Sequence, residues 1–279
     1  MPVTRGGPNV RESLLLNVEM TYDLFSFFNE YDTLEIRFNI LDPYVDGFLI
    51  VEGATTFQGN PKPLYWKERD RERFKKWEHK VFYRPITVFD DEEIIGQVAE
   101  RNYIDTNAFK RAFYQKETLR KMLEDMHLHE DDVVYYGDVD EIWKPKEVDD
   151  KVHKLRQIAY SYYLNNRSPE DWRGTIVTKW KNLKGQCLND LRANPVESDI
   201  LEDGGWHFSN LGGYEAVMHK IESYDHQEVN IPWVRNGLSA RMEFNEDFLG
   251  RGWKFWVDES ELPQYLLENK DKWTHLWKS

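Results

Sequence analysis

Asp138, Asp140 and Glu141 place three carboxylates within four positions, directly behind the run Val133-Val134-Tyr135-Tyr136 and a single glycine, Gly137. Carboxylates this dense repel one another unless a cation lies among them. The run before them is short, bulky and β-prone, which reads as a buried strand that leaves its sheet at Gly137. In open α/β sheets, ligands bind beyond the carboxyl ends of the strands. The chemistry that suits this spacing is a divalent metal held by Asp138 and Asp140 on a nucleotide diphosphate. The plainer reading of an isolated D-x-D is a polar turn capping the next helix, because the pattern is short and common.

A second stretch, Glu202 to Gly213, sets the glycine pairs Gly204-Gly205 and Gly212-Gly213 around the aromatic segment Trp206-His207-Phe208. Glycines let backbone approach a ligand closely. The second pair opens a helix over Tyr214–Tyr224, whose free N–H groups suit an anion such as a diphosphate. His207 is a candidate third metal ligand as neutral imidazole, or else a core histidine of an aromatic strand. Arg111 and Gln115 share a helix face at i, i+4 and either reach toward a nucleotide or decorate the surface.

The elements that must carry these groups follow from periodicity. Ser13–Val18 reads as a first strand, and Tyr22–Asn29 as an aromatic loop. Asp32 caps a helix, with Glu35 completing a capping box and Leu34, Phe38 and Leu41 on the buried face. Asp42-Pro43 stops it. Gly47–Val51 is a second strand running into Glu52-Gly53, so strand, helix and strand form a βαβ unit with a parallel pair. Beyond a loop over 55–63, Glu68–Trp77 reads as a charged, solvated helix and Lys80–Arg84 as a strand. The acidic cluster Asp90–Glu93 reads as a helix start. The longest helix, Asn107–Met126, carries one apolar stripe and feeds the Val133 strand. Ile158–Leu164 and Thr175–Trp180 read as strands, Cys187–Ala193, Ile231–Met242 and Leu262–Lys270 as helices, and Trp273–Trp277 as a docked tail. No linker or internal repeat is visible. The expectation is an α/β chain with a flexible segment over residues 1–12 and one domain over 13–279.

Composition excludes several classes. A formal charge of -13 argues against a nucleic-acid binder or an anionic membrane surface as partner. One cysteine, Cys187, rules out an intramolecular disulfide and argues against a cysteine-based zinc site. No apolar run approaches the roughly 18 residues of a transmembrane helix, and no signal peptide is visible. A soluble, cytoplasmic chain is expected. Eleven tryptophans are compatible with ring stacking on sugars and equally with a filled core.

Six blocks in order give the chain a resemblance. They are Asn29–Arg37 (NEYDTLEIR), Val45–Glu52 (VDGFLIVE), Phe57–Leu64 (FQGNPKPL), Asp138–Ile142 (DVDEI), Gly205–Ser209 (GWHFS) and Leu262–Asn269 (LPQYLLEN). Together they resemble glycosyltransferase family 17, the family of the enzyme that adds the bisecting N-acetylglucosamine to the core β-mannose of N-glycans. The resemblance implies a GT-A type fold with a mostly parallel, Rossmann-like sheet. It also implies a nucleotide-sugar donor, UDP-N-acetylglucosamine foremost, a Mn2+ or Mg2+ ion, a glycan acceptor, and inversion at the anomeric carbon. The chain lacks the membrane anchor of the vertebrate members, so a prokaryotic or viral surface glycan is as open an acceptor as an N-glycan.

Inverting transfer needs a neutralised leaving group, a base and sugar contacts. Asp140 is the expected direct metal ligand, with Asp138 on metal-bound water or the ribose and His207 completing the shell. Asp203 and Glu228 are the candidate bases, and Glu141 is expected to orient the loop. Gly205, Trp206 and Trp143 would line the sugar site. Glu52, at a strand end, would contact the nucleoside. Two rivals remain. One is a phosphatase of the haloacid-dehalogenase type, whose D-x-D normally lies near the start of its domain. The other is a non-catalytic sugar-binding protein of the same fold.

Overall fold

The computed structural model describes residues 19–101, 106–193 and 199–279. The segment 1–12 and the candidate strand Ser13–Val18 lie outside the described residues. The strands are β1 (Thr21–Ser26), β2 (Gly47–Gly53), β3 (Val81–Ile86), β4 (Val133–Tyr136), β5 (Glu141–Trp143), β6 (His153–Leu155), β7 (Gln157–Ser161), β8 (Asn166–Trp172), β9 (Ile176–Lys179), β10 (Ile200–Leu201), β11 (Gly205–Ser209) and β12 (Trp256–Val257). The helices are α1 (Tyr31–Leu41), α2 (Tyr65–Glu68), α3 (Arg71–Phe74), α4 (Glu92–Ala99), α5 (Asn107–Asp125), α6 (Leu188–Ala193), α7 (Gly213–Ser223), α8 (Pro232–Glu243) and α9 (Gln264–Glu268). Among the described residues, no helix is long and apolar enough to cross a membrane.

The strands form two mixed sheets, where a single mostly parallel one was expected. The larger has the order β10-β6-β9-β4-β1-β2-β3, and the smaller β12-β8-β7-β11-β5. β4, β1, β2 and β3 run parallel, with α1 crossing from β1 to β2 as the βαβ pattern requires. β9 is antiparallel to both β4 and β6. The smaller sheet escaped the sequence because β8 reads Asn-Arg-Ser-Pro-Glu-Asp-Trp, with no apolar alternation. Its Pro169 is tolerated because β12 pairs only with Asn166 and Arg167.

Two local readings change. Tyr22–Asn29 was expected as a loop, but most of it is β1 and its exit turn. Asp23 in mid-strand is the misleading residue, since Asp is depleted in strands. The helix α1 starts at Tyr31 with no side-chain cap, so Asp32 and Glu35 form no capping box. They bind Arg73 instead. The charged helix over Glu68–Trp77 is broken into α2, α3 and a 3-10 turn, because Asp70 caps α3 by accepting from the N–H groups of Glu72 and Arg73. This stretch is not fully solvated, for Trp66, Phe74 and Trp77 are buried beside Phe38.

One apolar cluster runs from α1 and the large sheet (Phe25, Phe38, Phe48) into the small sheet (Ile142, Tyr160, Phe208). A second packs α5 against the other face of the large sheet through Leu119 and Leu123 on Leu24, Leu49 and Val134. Trp273 and Leu276 of the tail are buried, as expected. Six tryptophans, Trp66, Trp77, Trp143, Trp180, Trp206 and Trp273, lie in the core, so most of the tryptophan content serves packing.

Asp23 survives in β1 because Arg37 of α1 meets it bidentately, at 2.6 and 2.8 Å, with both side chains fully buried. Trp143 Nε1 donates to the same carboxylate at 2.8 Å. Removing one partner of a buried ion pair leaves an uncompensated charge, at a cost of about 3–5 kcal/mol. Arg37→Met is therefore expected to lose about that much in urea unfolding. The double variant Asp23→Asn/Arg37→Met should lose less than the sum of the two singles. Additive losses would show that the pair does not act as a unit.

Candidate active site

The D-x-D lies where the chain passes from one sheet to the other. β4 ends the large-sheet stretch at Tyr136, and β5 enters the small sheet at Glu141. The turn between them is closed by Glu141 N–H donating to Asp138 O at 3.0 Å. Arg37 Nη1 lies beneath it and donates to the carbonyls of Asp138, Val139 and Glu141 at 3.0, 3.2 and 2.6 Å. Phe208 N–H of β11 holds Asp140 O at 2.8 Å. Gly137 is required by close approach, since a Cβ there would meet Glu141 Oε2 at 2.5 Å and Thr175 Oγ1 at 2.6 Å.

The three carboxylates of the turn face different partners. Glu141 is fully buried and accepts from Trp172 Nε1, Thr175 Oγ1 and Arg192. Asp138, half-exposed, binds the same Arg192. Asp140, nearly buried, has Lys220 Nζ at 3.2 Å and His207 Nε2 at 3.8 Å. Burial pushes both aspartate carboxyls upward, but Arg192 and then Lys116 hold Asp138 below the usual value. Lys220 and then His207 hold Asp140 far below it. Burial lowers the Arg192 and Lys220 pKa values, yet Asp138 and Glu141 raise the first, and Asp140 and Glu30 the second, above their ordinary values.

His207 stacks on Trp172 with ring centroids 4.0 Å apart. Its Nε2 faces Asp140, and its Nδ1 is buried without a partner among the described residues. Among the described residues, no group of three His, Cys, Asp or Glu side chains converges to hold an ion by itself. Asp140 and His207 therefore offer two donors rather than a cage. That set fits a hard cation whose remaining positions are filled by water and phosphate oxygens.

Beside Asp140 opens a cleft of about 290 Å³, lined by Phe28, Glu30, Asn210, Gly212 and Lys220 among others. Gly212 precedes α7 with φ +96°, and no side chain caps that helix, so its first N–H groups are left for a ligand or water.

The structure brings His207 to Asp140, which lines the same cleft as Gly212 at the α7 N-terminus, while Asp138 faces Arg192. It puts the other candidates elsewhere. Glu52 is fully buried and accepts from Lys62 Nζ, the N–H groups of Tyr65 and Trp66, and Tyr83 OH, which leaves no face for a nucleoside. Arg111 donates to Phe57 O and packs on the Gly59 turn. Gln115 is buried against Gly53. Gly205, with φ +116°, is pressed on β5, where a Cβ would meet Ile142 O at 2.2 Å. Trp206 is buried, its Nε1 donating to Glu261 O. Trp143 is buried and stacked on Tyr135. Asp203 sits at the start of β11, exposed and paired with Lys144, while Asp140 meets the strand near its other end. Glu228 is exposed and paired with His226.

Sequence reasoning missed Arg192, Lys220 and Glu30. For Lys220 a signal existed, since it follows Gly213 by seven residues and so lies on the same helix face two turns on. For Arg192 none did, since it is 51 residues beyond Glu141. A model of glycosyltransferase family 17 matches residues 13–233, most of the chain. No curated protein matches it.

Because the Asp140 carboxyl is held low in the folded chain, its contribution to stability is present above the unfolded value of about 3.9. It is lost as pH falls through the folded value. Lys220→Met removes the largest downward pull. Its expected effects are lower stability at neutral pH and acid unfolding that begins at a higher pH, read by tryptophan fluorescence. An unchanged acid limb would mean that Lys220 does not hold the carboxylate.

Proposed function

The chain belongs to glycosyltransferase family 17, and on that premise we propose that it is a metal-dependent, inverting transferase of GT-A type. In this reading it moves N-acetylglucosamine from UDP-N-acetylglucosamine to a hydroxyl of a glycan. The observation that carries the reading is the sheet-to-sheet turn, where Asp140 faces His207 and Lys220 at the mouth of a cleft.

Asp140 and His207 would hold the divalent ion, with Asp138 at the edge of its shell. When bound, such an ion supplies Lewis-acid stabilisation to a departing diphosphate. Arg192 and Lys220 supply further positive charge on either side of the turn, and the free N–H groups of α7 add to it. These donors are fixed before the ligand arrives, so they need little reorganisation as charge develops on the leaving group. Glu141 keeps Arg192 in place and is itself wholly engaged.

A thermal-shift panel of UDP, GDP, CMP and ADP, each with and without Mn2+, tests this on wild type and Asp140→Ala. At a hundredfold excess over Kd, a ligand of the folded state adds about 2.7 kcal/mol. The expected result is a shift with UDP only when Mn2+ is present, abolished in Asp140→Ala. An equal UDP shift without metal, retained in the variant, would sink the metal assignment. No shift with any nucleotide would sink the donor assignment.

A further inference from the structure

Neither carboxylate first considered as a base reaches the cleft, since Asp203 and Glu228 are exposed and paired elsewhere. Three others do, Asp140, Asp32 and Glu30. Asp140 faces His207 and Lys220, and Asp32 is held by Arg73 and His275, which leaves Glu30. Glu30 follows the carboxyl end of β1 and lines the cleft together with Asp140 and Lys220. Its Oε2 accepts from the N–H groups of Phe28 and Asn29 at 3.1 and 3.0 Å, which fixes the carboxylate within its own turn. No hydrogen bond occupies Oε1 among the described residues. Phe28, Asn29, Asn210 and Gly212 line the same cleft. Phe28 offers a half-buried ring of the kind that packs on a sugar's C–H face.

We propose that Glu30 is the general base of the transfer and that the part of the cleft beside Glu30 and Phe28 holds the acceptor sugar, next to the donor diphosphate at Asp140 and the α7 N-terminus. The assignment rests on the transferase reading above. Glu30 takes the proton from the acceptor hydroxyl as that oxygen bonds to the anomeric carbon of the donor. The bond from that carbon to the phosphate oxygen breaks, and the nucleoside diphosphate leaves with the electron pair. Glu30 then returns its proton to water. Burial raises the Glu30 carboxyl above its ordinary value, Lys220 counters this, and Asp140 adds to the rise. That direction suits a proton acceptor working near neutral pH.

A purely structural Glu30 would do no more than tie its turn. Glu30→Gln separates the two roles, because the amide oxygen still accepts from Phe28 and Asn29 but cannot take a proton. The readouts are hydrolysis of UDP-N-acetylglucosamine, with water as the acceptor, and the UDP–Mn2+ thermal shift. The expected result for Glu30→Gln is a rate lower by about 10²–10⁴-fold, with melting temperature and UDP shift close to wild type. Glu30→Asp should recover part of the rate. Wild-type hydrolysis in Glu30→Gln overturns the base, as does a UDP shift lost together with the rate, which would make Glu30 a donor contact. A wild-type chain that neither binds UDP nor consumes the donor overturns the transferase reading itself, and the base with it.

Discussion

The bidentate pair of Asp23 and Arg37 is the constraint on which the rest of the site depends. It lies at zero exposure between β1, α1 and the turn that carries the D-x-D. Arg37 directs two nitrogens at Asp23 and its third at three carbonyls of that turn. A turn that crosses from one sheet to another exposes backbone acceptors with no ladder to satisfy them, and buried carbonyls left unpaired are costly. One guanidinium meets that need and fixes the direction in which Asp138 and Asp140 point. The charge this requires in the core is balanced by Asp23, which is why a strand of otherwise apolar and hydroxylic residues carries a carboxylate.

The same fact explains what the sequence could reveal. Elements with a clear period were legible. The helix α1 and the strand β2, the long helix α5 and the strand before Gly137 all fall close to their expected places, because a single buried face dictates each pattern. β1 was misplaced because its Asp23 looks like a loop residue until Arg37 is known to lie opposite it. Most of the smaller sheet beyond β7 was invisible because β8 is polar and β5 and β12 have only three and two residues. Neither local propensity nor alternation can mark such strands, which owe their pairing to neighbours far along the chain.

For the site, Asp138, Asp140 and His207 were legible as residue types, and the approach of His207 to Asp140 is a product of β5 and β11 pairing, with His207 opposite Glu141. The residues that looked suited to ligands by type, Glu52, Trp143 and Trp206, are consumed by the fold. A strand-end carboxylate with four donors around it, as at Glu52, is a structural anchor for the segment Lys62–Trp66. Its type and position alone could not separate that task from nucleoside binding, since both use the same lone pairs.

The turn also shows how a strongly acidic chain can present a place for an anion. Three carboxylates in four positions would repel a diphosphate if nothing balanced them. Arg192 from α6 and Lys220 from α7 arrive from distant parts of the sequence and offset two of the three charges from two sides. Burial makes each charge costly alone and each pair strong, and the partners hold the Asp138 and Asp140 carboxyls below their ordinary values and Arg192 and Lys220 above theirs. Net charge over the whole chain therefore says little about this cleft. What governs it is the local count, in which two cations and an uncapped helix end stand against Asp138, Asp140 and Glu141. Arg37 beneath the turn is already spent on Asp23, so it steers the backbone without adding to the field that a ligand meets.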